Sequence, residues 1–163
     1  MDEAVKVISV LTEQGKTLVT AESCTGGLLG ALLTAVPGAS KVYLGGIISY
    51  AYEIKEQCLD VSTELLKEKG AICPEVAEQM AKGARNRLHG DYALSVTGNA
   101  GPGTDPMNPN VGEIDIACAG ENFCSVERLV LSGDREQNRM TACTCVLKLL
   151  LQCCDGRDIP ELL

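Results

Sequence analysis

The chain has 163 residues, 45% hydrophobic and 22% charged, ordinary values for a soluble globular protein and enough length to bury a core within one domain. Its net charge of −8 argues against sequence-independent nucleic-acid binding, which needs a basic face, while still permitting a small anion held by a few local cations. No apolar run approaches the ~20 residues that span a bilayer, and Met1-Asp2-Glu3 lacks the basic-then-apolar pattern of a signal peptide, so a cytoplasmic protein with no membrane partner is expected.

With no Trp and one Phe the core must be aliphatic. Nine cysteines are an odd number without a secretory context, which disfavours a disulfide framework. No Cys-x-x-Cys pair occurs and His89 is the only histidine, so no metal site is expected and the thiols read as small hydrophobes.

In chain order, Val5, Ile8, Val10 and Leu11 form a helical stripe over 2–14, with Gly15 suited to the cap. A strand over 17–21 leads through Glu22-Ser23-Cys24-Thr25-Gly26-Gly27 into a helix of Leu28, Leu29, Leu32, Leu33 and Val36 that Pro37-Gly38 stops. Val42 to Tyr50 reads as a strand, in which Gly45-Gly46 suggests a bulge or close backbone contact. Helices are predicted over 51–58, from Ser62 to Gly70, and over 74–88, where Pro74 occupies the first turn. A buried strand over 92–97 enters a long loop ending at Val111. Strands over 112–119 and 124–131 then form a hairpin, and a last helix begins near Arg135. Strands alternating with helices, followed by a hairpin, imply a three-layer α/β/α sandwich with a mixed sheet. One domain is expected over 1–155, with a tail over 156–163.

Three polar, glycine-bearing loops follow strands: 21–27, 98–111 and 132–135. In open α/β sheets ligands sit beyond the carboxyl ends of parallel strands, so these loops could share one crevice. In the first, Ser23 or Thr25 reads either as an ordinary N-cap or as part of an anion site at a helix N-terminus. Arg135 reads either as a solvated surface cation or as a phosphate grip working with the helix end behind it. A Ser-His-Asp triad is improbable with one histidine. A serine with a lysine of lowered pKa is the usual substitute, and Lys55, five residues after Tyr50, is the candidate base, with a plain surface charge as its other reading.

Taken together, these motifs resemble the CinA C-terminal domain family, whose stand-alone members are nicotinamide-nucleotide amidohydrolases. The matching pieces are Ala21-Glu22-Ser23-Cys24-Thr25-Gly26-Gly27, Val36-Pro37-Gly38-Ala39-Ser40, Tyr50-x4-Lys55, Gly70-Ala71, Thr97-Gly98-x-Ala100-Gly101-Pro102, Val111-Gly112 and Ser132-Gly133-Asp134-Arg135, in family order over nearly the whole chain. The resemblance implies hydrolysis of the carboxamide of nicotinamide mononucleotide to nicotinate mononucleotide and ammonia, without a metal or other cofactor. It implies Ser40 as nucleophile with Tyr50 and Lys55 as its catalytic partners; if Ser40→Ala keeps full activity, Ser23 becomes the next candidate. Ser23, Thr25, Gly26, Thr97, Gly98, Gly101 and Arg135 are implied as substrate-binding positions, Arg135 for the phosphate. A homo-oligomer is expected. Three positions depart from the family pattern: Tyr52 replaces Asn, Asn99 replaces Ile, and Asn108-Pro109-Asn110 replaces a segment that commonly carries Lys. The alternative function is a non-catalytic module that binds a nucleotide or a partner on the same fold.

Overall fold

The structure, a computed structural model, describes residues 2–155. The expected tail over 156–163 lies outside the described residues. Among the described residues, six helices and five strands follow in chain order: α1 (Asp2–Gln14), β1 (Leu18–Glu22), α2 (Leu28–Thr34), β2 (Tyr43–Ile48), α3 (Tyr52–Leu59), α4 (Thr63–Lys69), α5 (Pro74–Leu88), β3 (Tyr92–Gly98), β4 (Glu113–Ala119), β5 (Cys124–Val130) and α6 (Arg135–Cys154). A 3-10 turn, Ala39–Lys41, precedes β2.

The sheet order is β2-β1-β3-β4-β5. β1 runs parallel to both β2 and β3, and β4 and β5 are antiparallel to their neighbours, so the sheet is mixed as expected. The bulge anticipated around Gly45-Gly46 falls at Leu44: Leu18 pairs with Tyr43, but Val19 pairs with Gly45.

Strand periodicity divides the core. Leu18, Leu94, Val96, Ile114, Ile116 and Cys118 face one layer, packed with α1, α2 and α6. Val19, Ala21, Ala93, Ala117 and Ala119 face the other and meet Val76, Ala77, Met80, Ala81 and Ala84 of α5. The alanines on both surfaces let α5 lie close to the sheet. At Gly83 the approach is closer still: a Cβ there would stand 1.9 Å from the Leu59 carbonyl oxygen.

This topology positions the site. From β1 the chain leaves through α2 on one face to reach β2, then returns through α3, α4 and α5 on the other face to reach β3. The connections diverge at the carboxyl ends of β1 and β3, where a crevice opens.

Candidate active site

A cleft of about 280 Å³ lies at that divergence, of a size to take a small molecule. Its lining comes from five places in the chain: Ser23 and Cys24 after β1, Tyr50, Tyr52 and Lys55 after β2, Ala71 and Ile72 between α4 and α5, Thr97 to Ala100 and Gly103 to Asp105 around the end of β3, and Arg135 at the start of α6.

Lys55 is at the centre of it. Lys55 and Leu59, one turn apart, are the buried residues of α3, and Lys55 is wholly inaccessible to solvent. Its Nζ donates to Ser23 Oγ at 2.9 Å, to the Ser49 carbonyl at 2.6 Å and to the Tyr50 carbonyl at 3.3 Å. All three acceptors are neutral oxygens. Burial without a carboxylate partner disfavours the ammonium, so the Lys55 pKa is pushed down to about 8, while the Cys24 thiol and Asp105 oppose the shift. A neutral amine beside a hydroxyl is the arrangement that activates a serine. The Cys24 thiol, raised to about 11 by its own burial, stays protonated and is not a competing nucleophile.

Ser23 is held by its backbone. Its N–H donates to the Val96 carbonyl at 2.9 Å, joining the turn to β3. Ser49, also buried, donates its N–H to the Glu22 carbonyl at 2.7 Å, so the two strand ends that present Ser23 and the Lys55 acceptor are tied to each other. Ser49 was not singled out in the sequence. Its position at the end of a strand, next to Tyr50, is the only signal it carries.

The structure separates Ser40 from Lys55. Ser40 is exposed on the 3-10 turn before β2, whereas Lys55 follows β2, and the six residues of that strand span roughly 20 Å at ~3.3 Å each. Ser40 therefore stands at the amino end of a parallel strand, the end away from the cleft. The hydroxyl expected beside Lys55 from Ser40 is instead that of Ser23.

Tyr50, expected as a catalytic partner, meets the Lys55 amine through its carbonyl rather than its hydroxyl. Its side chain is 62% exposed, and its hydroxyl accepts from Arg135 Nη2 at 3.3 Å; only its carbonyl meets Lys55. Arg135 also donates through Nη1 to the Gly101 carbonyl at 2.7 Å, which stretches the guanidinium across the mouth of the cleft. The helix end behind it carries a capping box of its own. Asp134 caps α6 by accepting from the Gln137 N–H, and Gln137 returns a bond to the Asp134 N–H.

The α2 N-terminus is likewise taken. The Glu22 carboxylate accepts from the N–H groups of Gly27, Leu29 and Gly30 at 2.8–3.0 Å, so a protein carboxylate fills the expected anion site. Neither Ser23 nor Thr25 caps this helix, whose N-cap is Gly27 in the left-handed conformation. Thr25 is buried with its Oγ1 unpaired, and Gly26 is exposed; neither lines the cleft. Arg139 braces the turn from behind, donating to the Cys24 and Thr25 carbonyls.

On the far wall, Thr97 and Gly98 line the cleft. Thr97 Oγ1 is committed to the Ala71 carbonyl at 2.8 Å, and at Gly98 a Cβ would lie 2.6 Å from Ile114 Cα. Gly101 contributes through its carbonyl to Arg135 rather than by lining the cleft. The departing residues form a network of their own. Buried Asn99 donates to the carbonyls of Asn108 and Asn110 and accepts from the Asp105 N–H, which folds the 99–110 loop around one side chain. Tyr52 bonds Asp105 across the cleft.

The nine cysteines are free thiols. Among the described residues no group of three His, Cys, Asp or Glu side chains could hold a metal ion, and no helix is long and apolar enough to cross a membrane.

Comparison with known proteins agrees with this architecture. The family model of the CinA C-terminal domain matches residues 2–154. A CinA-like protein of Synechococcus sp. (strain CC9311) is 51% identical over 130 residues, covering 79% of this chain and 30% of that protein. A CinA-like protein of Geotalea uraniireducens is 47% identical over 134 residues, covering 82% and 32%. This chain thus spans about a third of the length of such relatives. Among solved structures, the competence/damage inducible protein CihA of Agrobacterium tumefaciens superposes with a TM-score of 0.89 at 34% identity, covering 92% of both chains. A CinA superfamily protein of Klebsiella pneumoniae superposes with a TM-score of 0.92 at 26% identity, over 96% of this chain and 98% of its own. With its fold, its three cleft loops and a family match from Asp2 to Cys154, the chain belongs to the CinA C-terminal domain family.

Proposed function

We propose that the chain is an amidohydrolase that converts nicotinamide mononucleotide to nicotinate mononucleotide and ammonia, with Ser23 as nucleophile and Lys55 as general base. The observation that carries this reading is the Lys55 amine, buried among neutral acceptors, 2.9 Å from Ser23 Oγ in a cleft with a guanidinium at its mouth. The cation at the rim suits the nucleotide phosphate, and the buried dyad suits the carboxamide at the other end.

In the reactive state the neutral Lys55 amine takes the Ser23 proton as Oγ attacks the carboxamide carbon. Backbone N–H groups of the turn after Ser23 stabilise the oxyanion, an effect of ~3–4 kcal/mol for one well-placed donor. Lys55, now protonated, gives its proton to the departing nitrogen, and ammonia leaves. Water, deprotonated by the same amine, then attacks the acyl-enzyme, yielding the carboxylate and restoring Ser23. The Ser49 carbonyl keeps the amine directed at the hydroxyl through both steps.

The test is ammonia release from nicotinamide mononucleotide by purified protein and two serine variants. Ser23→Ala is expected to lose at least ~10³-fold in kcat with the fold intact, a loss typical of removing a nucleophile. Ser40→Ala is expected to stay within about twofold, since it alters an exposed side chain away from the cleft. A wild-type level in Ser23→Ala, or a collapse in Ser40→Ala, would overturn the assignment.

A further inference from the structure

The cleft contains one feature that the dyad mechanism leaves unused. Asp105 is the only carboxylate among the cleft-lining residues, and it takes part in none of the ion pairs among the described residues. The charge is held in place from three directions. Tyr52 donates its hydroxyl proton to Asp105 Oδ2. The Met107 N–H donates to Oδ1 at 3.0 Å, and the Asp105 N–H is anchored on Asn99 Oδ1 at 2.8 Å.

Hydrogen-bond direction is settled by a neighbour. Tyr52 accepts the Ala71 N–H at 3.1 Å, which leaves its own proton for the carboxylate. Burial and the adjacent Asp105 raise the Tyr52 pKa to about 12, so the phenol remains a donor at any physiological pH. Gly70 makes the space: a Cβ there would stand 2.8 Å from Asp105 Oδ1 and 2.9 Å from Met107 Cβ. Two of the residues that depart from the family pattern, Tyr52 and Asn99, are thus the ones that fix this carboxylate against the cleft.

We infer that Asp105, held by Tyr52, Asn99 and the Met107 N–H, is a specificity-determining residue that favours a neutral carboxamide over a carboxylate in the cleft and so expels the reaction product. The inference rests on the amidohydrolase reading. Hydrolysis replaces an uncharged amide with an anion while the rest of the nucleotide is unchanged. A fixed negative charge in the same small cleft raises the free energy of the bound product and leaves that of the bound substrate nearly unaltered. It also offsets the attraction that a protonated Lys55 would exert on the product after ammonia leaves.

The experiment measures equilibrium binding in a Ser23→Ala background, which halts turnover, with and without Asp105→Asn. Nicotinamide mononucleotide and nicotinate mononucleotide are titrated calorimetrically into each protein. The asparagine has nearly the same shape and keeps one acceptor oxygen, for either Tyr52 or the Met107 N–H, but carries no charge. Affinity for the carboxylate nucleotide is expected to rise about tenfold, as removal of one like charge at short range in a partly screened cleft allows, while affinity for the amide nucleotide changes less than about threefold. If both affinities move together, or neither moves, the inference is wrong. Should the asparagine variant fail to fold, Asp105→Ser removes the same charge and is judged by the same ratio. If neither nucleotide binds the Ser23→Ala protein, the amidohydrolase reading fails and takes the inference with it. Binding of both with an unmoved ratio defeats the inference alone.

Discussion

A lysine without solvent and without a carboxylate is the most telling residue of this chain. Lys55 satisfies its protons on a hydroxyl and two carbonyls, none of which compensates the charge lost to burial. The cost is expressed as a pKa pushed down to about 8. An enzyme whose base must be neutral gains activity as that group loses its proton. We therefore expect kcat/KM to fall about tenfold per pH unit below the Lys55 pKa, with the bend near pH 8 in a rate profile measured from pH 6 to 9.5. Lys55→Arg is expected to abolish the activity across that range, because a guanidinium remains protonated throughout. Activity that stays flat from pH 6 to 9.5 would exclude Lys55 as the base. Tyr50, which the resemblance implies as a catalytic partner of the amine, accepts from Arg135 through its hydroxyl, and its removal is expected to affect substrate binding more than turnover.

Among the elements, the loop ends are preorganised by bonds that no single segment could supply. Glu22, the last residue of β1, satisfies three N–H groups at the start of α2 and so ties strand to helix across the turn that carries Ser23. On the other layer, α5 approaches α3 closely enough that only glycine fits at position 83, against the Leu59 carbonyl. Leu59 lies in the same helix as Lys55, one turn beyond it. Gly83→Ala would improve helix propensity by ~1 kcal/mol on an exposed helix. Here the added methyl must push the end of α3 away, and a net destabilisation of about 1–3 kcal/mol is expected by urea unfolding. The proposed amidase activity should fall with it, since the displaced helix is the one that holds Lys55. An unchanged unfolding midpoint would mean that the two helices separate without cost.

At the scale of the whole molecule, the buried Lys55 carries a stability cost that depends on pH. The native Lys55 pKa is about 8, below its ordinary 10.5. Between those values the unfolded chain binds more protons than the native one, so this group makes global stability rise with pH through that window; below about pH 8 the full cost of the buried charge is present. The shift corresponds to about 3 kcal/mol in all. Lys55→Met lacks this dependence. Relative to that variant, wild-type protein is expected to gain about 3 kcal/mol between pH 7 and 10.5 in chemical unfolding, other titrations cancelling in the comparison. Parallel curves for the two proteins would show that burial leaves the Lys55 pKa at its unfolded value.

How much of this was legible in the chain alone follows from where each property is encoded. The elements and the mixed sheet were readable because they rest on local patterns: the stripe of α1, the Pro74 start of α5, the Gly70 end of α4 and the hairpin of β4 and β5 agree with the observed bounds within a residue or two. The convergence of the 21–27 loop, the 98–111 loop and Arg135 on one cleft was also anticipated, since strand order implies that carboxyl ends gather. What periodicity could not convey was which hydroxyl meets the amine. Ser23 and Ser40 are both serines in matched motifs, and they differ in lying after one parallel strand and before the next, a distinction that acquires consequence only when the strands are laid side by side. The same is true of Glu22 and Asp134, whose carboxylates fill the helix ends that seemed open, and of Asp105, an unremarkable loop residue in the sequence. Local preferences act over a few residues and set secondary structure; contacts between residues 32 and 53 positions apart, such as Lys55 with Ser23 and Tyr52 with Asp105, exist only once the core has packed and brought the loops together.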